Sequence, residues 1–271
     1  MNTPAPELSV DELEIRMPRS EARAEGLDQD EEWCEVIGGD GSVQQIRFHD
    51  YDKIFSVRGL YERLFYEELE CCSPTVVRDL LQEQLTLDGT AASAMRVLDL
   101  GAGNGMVGEE LQQMGATKIV GIDILPEARQ ATERDRPEVY DEYLVCDLTD
   151  PSPADDVTLR GVGANCLTTV AALGFGDIPP RAFANAFDYL ESDAWLAMTI
   201  KDDFLTDEDP SGFSRLIARM SDEGVLEVSA ETRYQHRLAV SGDPLHYHAY
   251  VARKRAEIVP EWLDELDAAA A

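Results

Sequence analysis

The sequence predicts an α/β domain in which short buried strands alternate with amphipathic helices. A short apolar run, Val97 to Leu100, ends at a glycine-rich turn, and a helical pattern begins at Met106. Two later apolar runs, 118–123 and 142–147, each end in an aspartate. The chain has 271 residues, of which 44% are hydrophobic, so it can bury the core of one such domain with extensions.

The first third of the chain contains the signals of a tail, a small hairpin and helices. Residues 1–30 are rich in Glu, Asp, Pro and Ala without clear periodicity, so we expect an acidic tail that is disordered or only loosely helical. Strand patterns flank the turn residues 38–41, which predicts a small hairpin. Helical patterns follow as far as residue 94. Ser73 with Pro74 marks the start of one helix, because serine caps helices and proline suits the first turn.

The glycine-rich turn between the first core strand and its helix indicates a ligand site. Gly101, Gly103 and Gly105 allow the main chain to turn tightly and to touch a ligand, and the helix that follows suits a carboxylate or phosphate. A dinucleotide site would have its third glycine at position 106, but Met106 stands there. Asp99 gives the pattern Asp-x-Gly-x-Gly-x-Gly, which is typical of enzymes that use S-adenosylmethionine (SAM). A glycine turn that binds no ligand is the alternative interpretation.

This segment resembles motif I of the class I SAM-dependent methyltransferases, and the resemblance extends over about residues 49–255. It implies a Rossmann-like, seven-stranded, mostly parallel sheet with helices on both faces, an antiparallel last strand and a preceding helical lid. The loop 171–180 is similar to small-molecule and uncharacterised methyltransferases of the Williams–Beuren-region type. The implied organisation is a tail at 1–30, a hairpin and lid region at 31–94, a SAM-binding core at 95–256 and a carboxy-terminal helix at 257–271.

SAM is the cofactor that this resemblance implies. Asp123 ends the second core strand, about twenty residues after the glycines, where nucleotide-binding folds have the carboxylate that accepts from the ribose hydroxyls. By resemblance, Asp147 accepts from the adenine amino group and Leu148 meets the ring nitrogen, while Asp99 and the glycine loop hold the methionine part. The full set of candidates is Asp99, Gly101, Ala102, Gly103, Asn104, Gly105, Asp123, Ile124, Asp147, Leu148, Val170 and Ala171, the last two beside the sulfonium.

The mechanism expected from this cofactor is in-line transfer of an activated methyl group, with positioning as the main contribution of the enzyme. An oxygen or nitrogen acceptor can also need a base with a pKa near neutrality. The candidates are His49, His236, His246, His248 and Tyr51. We favour His49 and Tyr51 as the catalytic residues because both border the lid; packing in the lid without touching the ligand is the alternative. His246 and His248 share a strand face, but no third ligand is near them in the sequence, so we expect no metal.

The charge balance is extreme, with 54 acidic and 23 basic residues and a net charge of −31. An acid-rich, lysine-poor composition is typical of proteins from organisms that hold molar salt, so we expect a halophilic protein. An ordinary acidic protein with an acidic tail is the alternative. Nucleic acid is a poor partner because binding it requires basic patches that neutralise phosphates.

The expected compartment is the cytoplasm. No apolar run reaches the roughly eighteen residues of a membrane span, and residues 1–10 lack the basic and apolar regions of a secretory signal. The five cysteines form no Cys-x-x-Cys pair, so we expect them to be reduced. The expected partner is a small-molecule methyl acceptor, with no nucleic acid and no membrane, and the sequence leaves monomer and homodimer open.

Two other functions stay open on the sequence alone. One is a SAM-binding regulatory or scaffold protein of the same fold, because the sequence signal for a catalytic base is weak. The other is a nucleotide-linked oxidoreductase, which Met106 at the third-glycine position disfavours.

Overall fold

The structure is a computed structural model that describes residues 9–174, 176–205 and 212–270. The amino-terminal part of the chain is a three-stranded antiparallel sheet followed by short helices. Its elements are β1 (Leu13–Arg16), α1 (Arg19–Glu25), β2 (Trp33–Gly38), β3 (Val43–Arg47), α2 (Tyr51–Phe55) and α3 (Leu60–Glu62), which continues as a π-helical segment, Arg63–Glu68. Short 3₁₀ turns lie at Val10–Glu12 and Gln29–Glu31. We refer to residues 9–68 as the amino-terminal module.

The expectation of a disordered tail is wrong for residues 9–30. β1 pairs with β2, with Leu13 opposite Gly38, and Ala22 of α1 is buried. Leu13 and Ile15 alternate with charged residues and pack against the core of the module. This four-residue strand is too short to alter the acidic average composition, which is why composition predicted disorder. Residues 1–8 of the expected tail lie outside the described residues.

A seven-stranded sheet forms the centre of the molecule. Its strand order is β6-β5-β4-β7-β8-β10-β9, and β10 runs antiparallel to both of its neighbours, which confirms the predicted fold class. No helix in the described ranges is long and apolar enough to cross a membrane. The elements are α4 (Ser73–Asp88), β4 (Arg96–Leu100), α5 (Met106–Met114), β5 (Lys118–Asp123), α6 (Pro126–Asp135), β6 (Glu142–Val145), α7 (Pro153–Val162), β7 (Ala164–Thr169), α8 (Pro180–Asp188), β8 (Leu190–Lys201), α9 (Phe213–Asp222), β9 (Leu226–Leu238), β10 (Pro244–Lys254) and α10 (Pro260–Ala270), with 3₁₀ turns at Ala92–Ala94 and Asp202–Leu205.

Apolar layers cover both faces of this sheet. Neighbouring residues of a strand point to opposite faces, so Val97 packs with Leu81 of α4 and Leu111 of α5, while Leu98 packs in the layer of Phe183 from α8. Burial on both faces explains why the core strands are continuous apolar runs. α4 therefore belongs to the core, although the sequence grouped it with the lid region that ends at residue 94.

Buried polar contacts attach the amino-terminal module to the β9–β10 hairpin. The Glu32 carboxylate accepts from the Arg237 guanidinium at 2.6 Å, and both side chains are almost fully buried. Gln29 Nε2 donates to the Tyr247 hydroxyl at 2.8 Å. These contacts hold the module beside the sheet.

The strand order reverses between β4 and β7, where successive crossovers go to opposite sides. In open parallel sheets, ligands bind in the crevice at the carboxyl ends of the strands beside such a reversal. The carboxyl ends of β4, β5, β6 and β7 meet at this edge of the sheet, and α2 and α3 of the module lie close to it.

Candidate cofactor and active site

The glycine loop after β4 is held tightly against its neighbours. Gly101 has a φ of +73°, and a Cβ there would come within 2.8 Å of the Ala172 Cβ, so a larger residue would displace the loop. The amides of Gly101 and Ala102 donate to the Ile122 carbonyl at 2.9 and 3.1 Å. The main chain of the loop is thereby fixed at the edge of the sheet, with its path close to the cavity described below.

Asp123 links the end of β5 to the glycine loop. Its Oδ2 accepts from the Gly103 amide and its Oδ1 from the Leu125 amide, both at 2.9 Å. Burial raises the pKa of this carboxyl above its usual value, and the amide donors oppose that shift. Each carboxylate oxygen can accept a further hydrogen bond, so Asp123 can hold the loop and still accept from a ribose hydroxyl.

Asp99 lies beneath the loop and does not line the cavity, in contrast to its expected contact with the methionine part. It is 1% exposed, and its two oxygens accept from the Thr168 and Tyr140 hydroxyls, each at 2.6 Å. Burial raises the pKa of the Asp99 carboxyl to about 6. Gly105 also faces away, since a Cβ there would approach Val139 of the segment after α6. Both positions support the loop from within the protein.

A cavity of about 270 Å³ lies at the carboxyl edge of the sheet. It brings together eight of the sequence-predicted cofactor residues, and Phe55 and Tyr61 from the amino-terminal module also line it. The eight predicted residues are Gly101, Gly103, Asp123, Ile124, Asp147, Leu148, Val170 and Ala171.

The β6 end of this cavity has both polar and apolar groups. Asp147 Oδ1 accepts from the Thr149 amide at 2.8 Å and from its hydroxyl at 2.7 Å, and these bonds lower the pKa of the Asp147 carboxyl. Leu148 is buried, while the Ile124 side chain is 57% exposed beside the cavity. An ionised hydrogen-bond acceptor next to apolar surface suits a planar nucleobase with an exocyclic amino group.

A second cavity, of about 60 Å³, adjoins the first. The two share Tyr51, Gly101, Gly103 and Val170, and the smaller one continues past the predicted loop residues Ala102 and Asn104. Its far wall is formed by buried side chains of the module and of the β9–β10 hairpin, namely Gln29, Phe48, His236, Arg237 and Tyr247.

His49 and Asp177 meet where the two cavities join. His49 Nδ1 lies 3.0 Å from Asp177 Oδ2, and both residues line both cavities. His49 comes from the segment after β3, and Asp177 from the loop between β7 and α8. Asp177 does not cap α8, because that helix begins at Pro180 with Pro179 as its N-cap. Asp177 is thus a site residue that sequence reasoning missed, because its partner is 128 residues away.

The other candidate bases do not fit that role. Burial raises the pKa of the Tyr51 hydroxyl well above its usual value, so it stays protonated at neutral pH and can donate a hydrogen bond. Burial lowers the pKa of His236 well below its usual value, and its Nδ1 is 2.6 Å from the Ser73 hydroxyl. His246 and His248 lie on β10 and line neither cavity. Within the described ranges, no group of three or more His, Cys, Asp or Glu side chains could hold a metal ion.

The residues present fit SAM. The glycine loop is a cradle that side chains would fill, since a Cβ at Gly103 would come within 3.3 Å of Phe55. Asp123 would supply an acceptor for the ribose hydroxyls, and the β6 end would supply a polar group beside apolar surface for the adenine. The adjoining smaller cavity leaves room for a short polar extension beyond the nucleoside.

The core of the chain matches a known protein family. A family model described as "Methyltransferase domain" matches residues 73–249, which begin with α4 and end within β10. Two solved structures share the fold: an S-adenosylmethionine-dependent methyltransferase from Clostridium acetobutylicum ATCC 824 (TM-score 0.50, 11% identity, covering 73% of this chain and 97% of that one) and a SAM-dependent methyltransferase from Anabaena variabilis ATCC 29413 (TM-score 0.51, 11% identity, covering 78% and 96%).

A curated relative points to a different acceptor from the one we expected. The ribosomal protein L11 methyltransferase of Aeromonas salmonicida (strain A449) is 31% identical over 140 residues, which cover 50% of this chain and 47% of that protein. The chain thus spans about half the length of the curated relative it matches. That relative is named for a protein acceptor, so the expectation of a small-molecule acceptor is wrong.

The family match also decides between the remaining functional alternatives. Both the matched family and the similar proteins are named for methyl transfer, which excludes the oxidoreductase and the non-catalytic scaffold as interpretations. The cofactor is S-adenosylmethionine. Because the match contains the glycine loop and reaches every strand of the central sheet, this chain belongs to the methyltransferase domain family and is a class I SAM-dependent methyltransferase.

Proposed function

We propose that this enzyme transfers the methyl group of SAM to an amino nitrogen of a protein. The protein acceptor is supported by the relative named for ribosomal protein L11, whose similarity covers about half of each chain. The net charge of −31 supports a positively charged acceptor segment, such as one that presents lysine, because opposite charge speeds the encounter. The His49–Asp177 pair at the junction of the cavities is the observation that carries the proposal, since a protonated amine must lose a proton before it can attack.

The cofactor would be held along the edge of the sheet. Asp123 would accept from the ribose hydroxyls, and Asp147 with Leu148 would bind the adenine. The glycine loop would hold the methionine part, with Val170 and Ala171 beside the sulfonium. These assignments are proposals, and they are supported by the shared cavity that these residues line.

His49 would act as the base. Its Nδ1 lies 3.0 Å from Asp177 Oδ2, and a carboxylate in that place would accept from Nδ1–H and leave Nε2 as the basic nitrogen. Nε2 takes the proton of the acceptor ammonium, and the Asp177 carboxylate stabilises the imidazolium that forms. Bound SAM would supply an electrophilic methyl group. The bond from the acceptor nitrogen to this methyl would form as the S–CH₃ bond breaks, and S-adenosylhomocysteine would leave as a neutral thioether. Tyr51, which stays protonated, can donate to a polar group at the same junction.

We also propose a revised division of the chain. Residues 9–68 would form a lid module, and the catalytic core would begin at α4, where the family match begins. The packing of α4 on the central sheet supports this boundary.

The proposed acceptor can be tested with methyl-tritiated SAM and defined acceptors. The probes are purified ribosomal protein L11 from Aeromonas salmonicida, a lysine-rich synthetic peptide and a protein-free pool of small metabolites. We expect label in the protein or the peptide, with added methyl groups on an amine by mass spectrometry, and at least tenfold less label with the Gly101→Ala variant at a SAM concentration below the wild-type Kd. Label confined to the small-metabolite pool would refute the proposal.

A further inference from the structure

A buried amide oxygen at the end of the smaller cavity has no partner in the protein. Gln29 is 9% exposed and lines that cavity, and its Nε2 donates to the Tyr247 hydroxyl at 2.8 Å. Its Oε1 is buried and accepts no hydrogen bond from any described residue. Buried side-chain oxygens in folded proteins are rarely left without a donor. A ligand group that donates a hydrogen bond would complete the site.

The shape of the cavity indicates which part of the ligand it takes. Gly101 to Asn104 and the first residues of α5 form one side, and the smaller cavity meets the larger one at Val170 and Ala171. A ligand whose nucleoside lies against Asp123 would therefore extend past the glycine loop toward Gln29. The volume of about 60 Å³ suits a small group and is far too small for a segment of a protein acceptor.

The charges around the smaller cavity suit a group with no net charge. Burial keeps its tyrosines protonated, raises the pKa of the Cys71 thiol to about 11 and keeps His236 neutral. The Arg237 guanidinium is paired with the Glu32 carboxylate, and the Asp177 carboxylate lies at 3.0 Å from His49 Nδ1 at the junction with the larger cavity. The titratable residues that line the cavity are His49, Tyr51, Tyr61, Tyr66, Cys71, Asp177, His236, Arg237 and Tyr247.

We infer that Gln29 binds the amino-acid end of SAM, with Oε1 accepting a hydrogen bond from the α-ammonium group. The amino-acid end is a zwitterion without net charge, and its ammonium is its only hydrogen-bond donor. Gln29 lies outside the matched residues 73–249, so the amino-terminal module contributes it to a cofactor site that the core otherwise forms. The module therefore acts in cofactor recognition as well as covering the site.

Calorimetric titration with two ligands tests this inference. S-adenosylhomocysteine has the amino-acid group, whereas 5′-methylthioadenosine has the same nucleoside and thioether without it. In Gln29→Met we expect the affinity for S-adenosylhomocysteine to fall about tenfold or more, because the hydrogen bond from the charged α-ammonium group to Oε1 is lost. Affinity for 5′-methylthioadenosine should stay within about twofold, since only the first ligand reaches Oε1.

Two further variants separate this role from a structural one. Gln29→Glu keeps an acceptor oxygen, so it should retain the affinity for S-adenosylhomocysteine. Gln45→Met, on the exposed surface of β3, should leave both affinities unchanged. Equal weakening of both ligands in Gln29→Met, or wild-type affinity for S-adenosylhomocysteine, would overturn the inference while the proposed function stands. If the wild-type enzyme bound neither ligand, both this inference and the proposed function would be refuted.

Discussion

His49 Nδ1 lies 3.0 Å from Asp177 Oδ2 and so joins the amino-terminal module to the loop after β7. The pair lies where the two cavities meet, and its members come from segments 128 residues apart. A carboxylate that accepts from Nδ1–H leaves Nε2 as the basic nitrogen of the imidazole. The proposed base therefore comes from the amino-terminal module, and its carboxylate partner comes from the core.

Removal of this base should slow turnover without weakening cofactor binding. For His49→Gln we expect kcat to fall about 100-fold, because general-base catalysis contributes about 10²–10⁴-fold. For Asp177→Asn we expect a fall of about tenfold in kcat with little change in KM, because the imidazole loses its positioning partner. Steady-state kinetics with the labelled acceptor, alongside titration with S-adenosylhomocysteine, measures both effects. Wild-type turnover in His49→Gln would remove His49 from the mechanism.

The glycine loop should tolerate no side chain at its first glycine. Gly101→Ala places a Cβ within 2.8 Å of the Ala172 Cβ at a positive φ, so we expect a loss of about 1–3 kcal/mol in the free energy of unfolding and at least tenfold weaker cofactor binding. Gly161→Ala, in α7 with open space around it, is the matched control. It should be neutral or more stable by about 0.5–1 kcal/mol. Urea denaturation measures the free energy of unfolding of both variants, and titration with S-adenosylhomocysteine measures their cofactor binding. Equal stability and equal affinity in the two variants would contradict the steric account.

The Asp99 carboxyl should make stability depend on pH. Its pKa in the folded state is about 6, above its value in the unfolded chain, so the folded state binds more protons between these values. The contribution of Asp99 to stability is therefore present at low pH and is lost as the pH rises through about 6.

The Asp99→Asn variant has no titratable group at this position and serves as the reference. The free energy of unfolding of the wild type, relative to that of Asp99→Asn, should fall by about 1 kcal/mol between pH 5 and 7.5. Urea denaturation of both proteins at the two pH values measures this difference. A difference that stayed constant or rose with pH would contradict a raised pKa of Asp99 in the folded protein.

Salt should stabilise the folded chain if its acidity is an adaptation to molar salt. Repulsion among the charges that give −31 is screened within about 10 Å at 0.1 M salt and about 3 Å at 1 M. We expect the Tm to rise by about 5 °C or more between 0.05 and 1 M KCl, which corresponds to roughly 1–2 kcal/mol. Sorbitol at equal osmolality is the control for excluded-solute effects. A Tm indifferent to KCl would refute salt adaptation.

The central sheet and the loop and strand ends that line the cavity at its carboxyl edge could be predicted because their signals are local. The glycine loop and the aspartates at the ends of β5 and β6 are each contained in a few consecutive residues. In a parallel sheet, the carboxyl ends of neighbouring strands meet at one edge, so these local signals also predict that the residues come together.

The rest of the site depends on contacts that no local pattern encodes. Gln29 meets Tyr247 across 218 residues of sequence, and the Asp177 partnership depends on the position of the amino-terminal module. Burial is also a tertiary property, which is why Tyr51 seemed a possible base until its surroundings were known. The β1 strand escaped prediction because four residues have little weight against an acidic composition.

The acceptor was mispredicted for a different reason. The loop 171–180 was taken to indicate a small molecule, but its residues Ala171 and Ala172 line the cavity, where small side chains leave room for an acceptor of any kind. The composition of the loop therefore does not indicate the kind of molecule that receives the methyl group.

A crystal structure of the enzyme with S-adenosylhomocysteine tests the central claim most directly. We predict density in the cavity at the carboxyl edge of the sheet, with the ribose hydroxyls at the Asp123 carboxylate and the adenine beside Leu148. The amino-acid group should extend past Gly101 toward Gln29. Clear density for the ligand at another surface, or no binding at saturating concentration, would contradict the account.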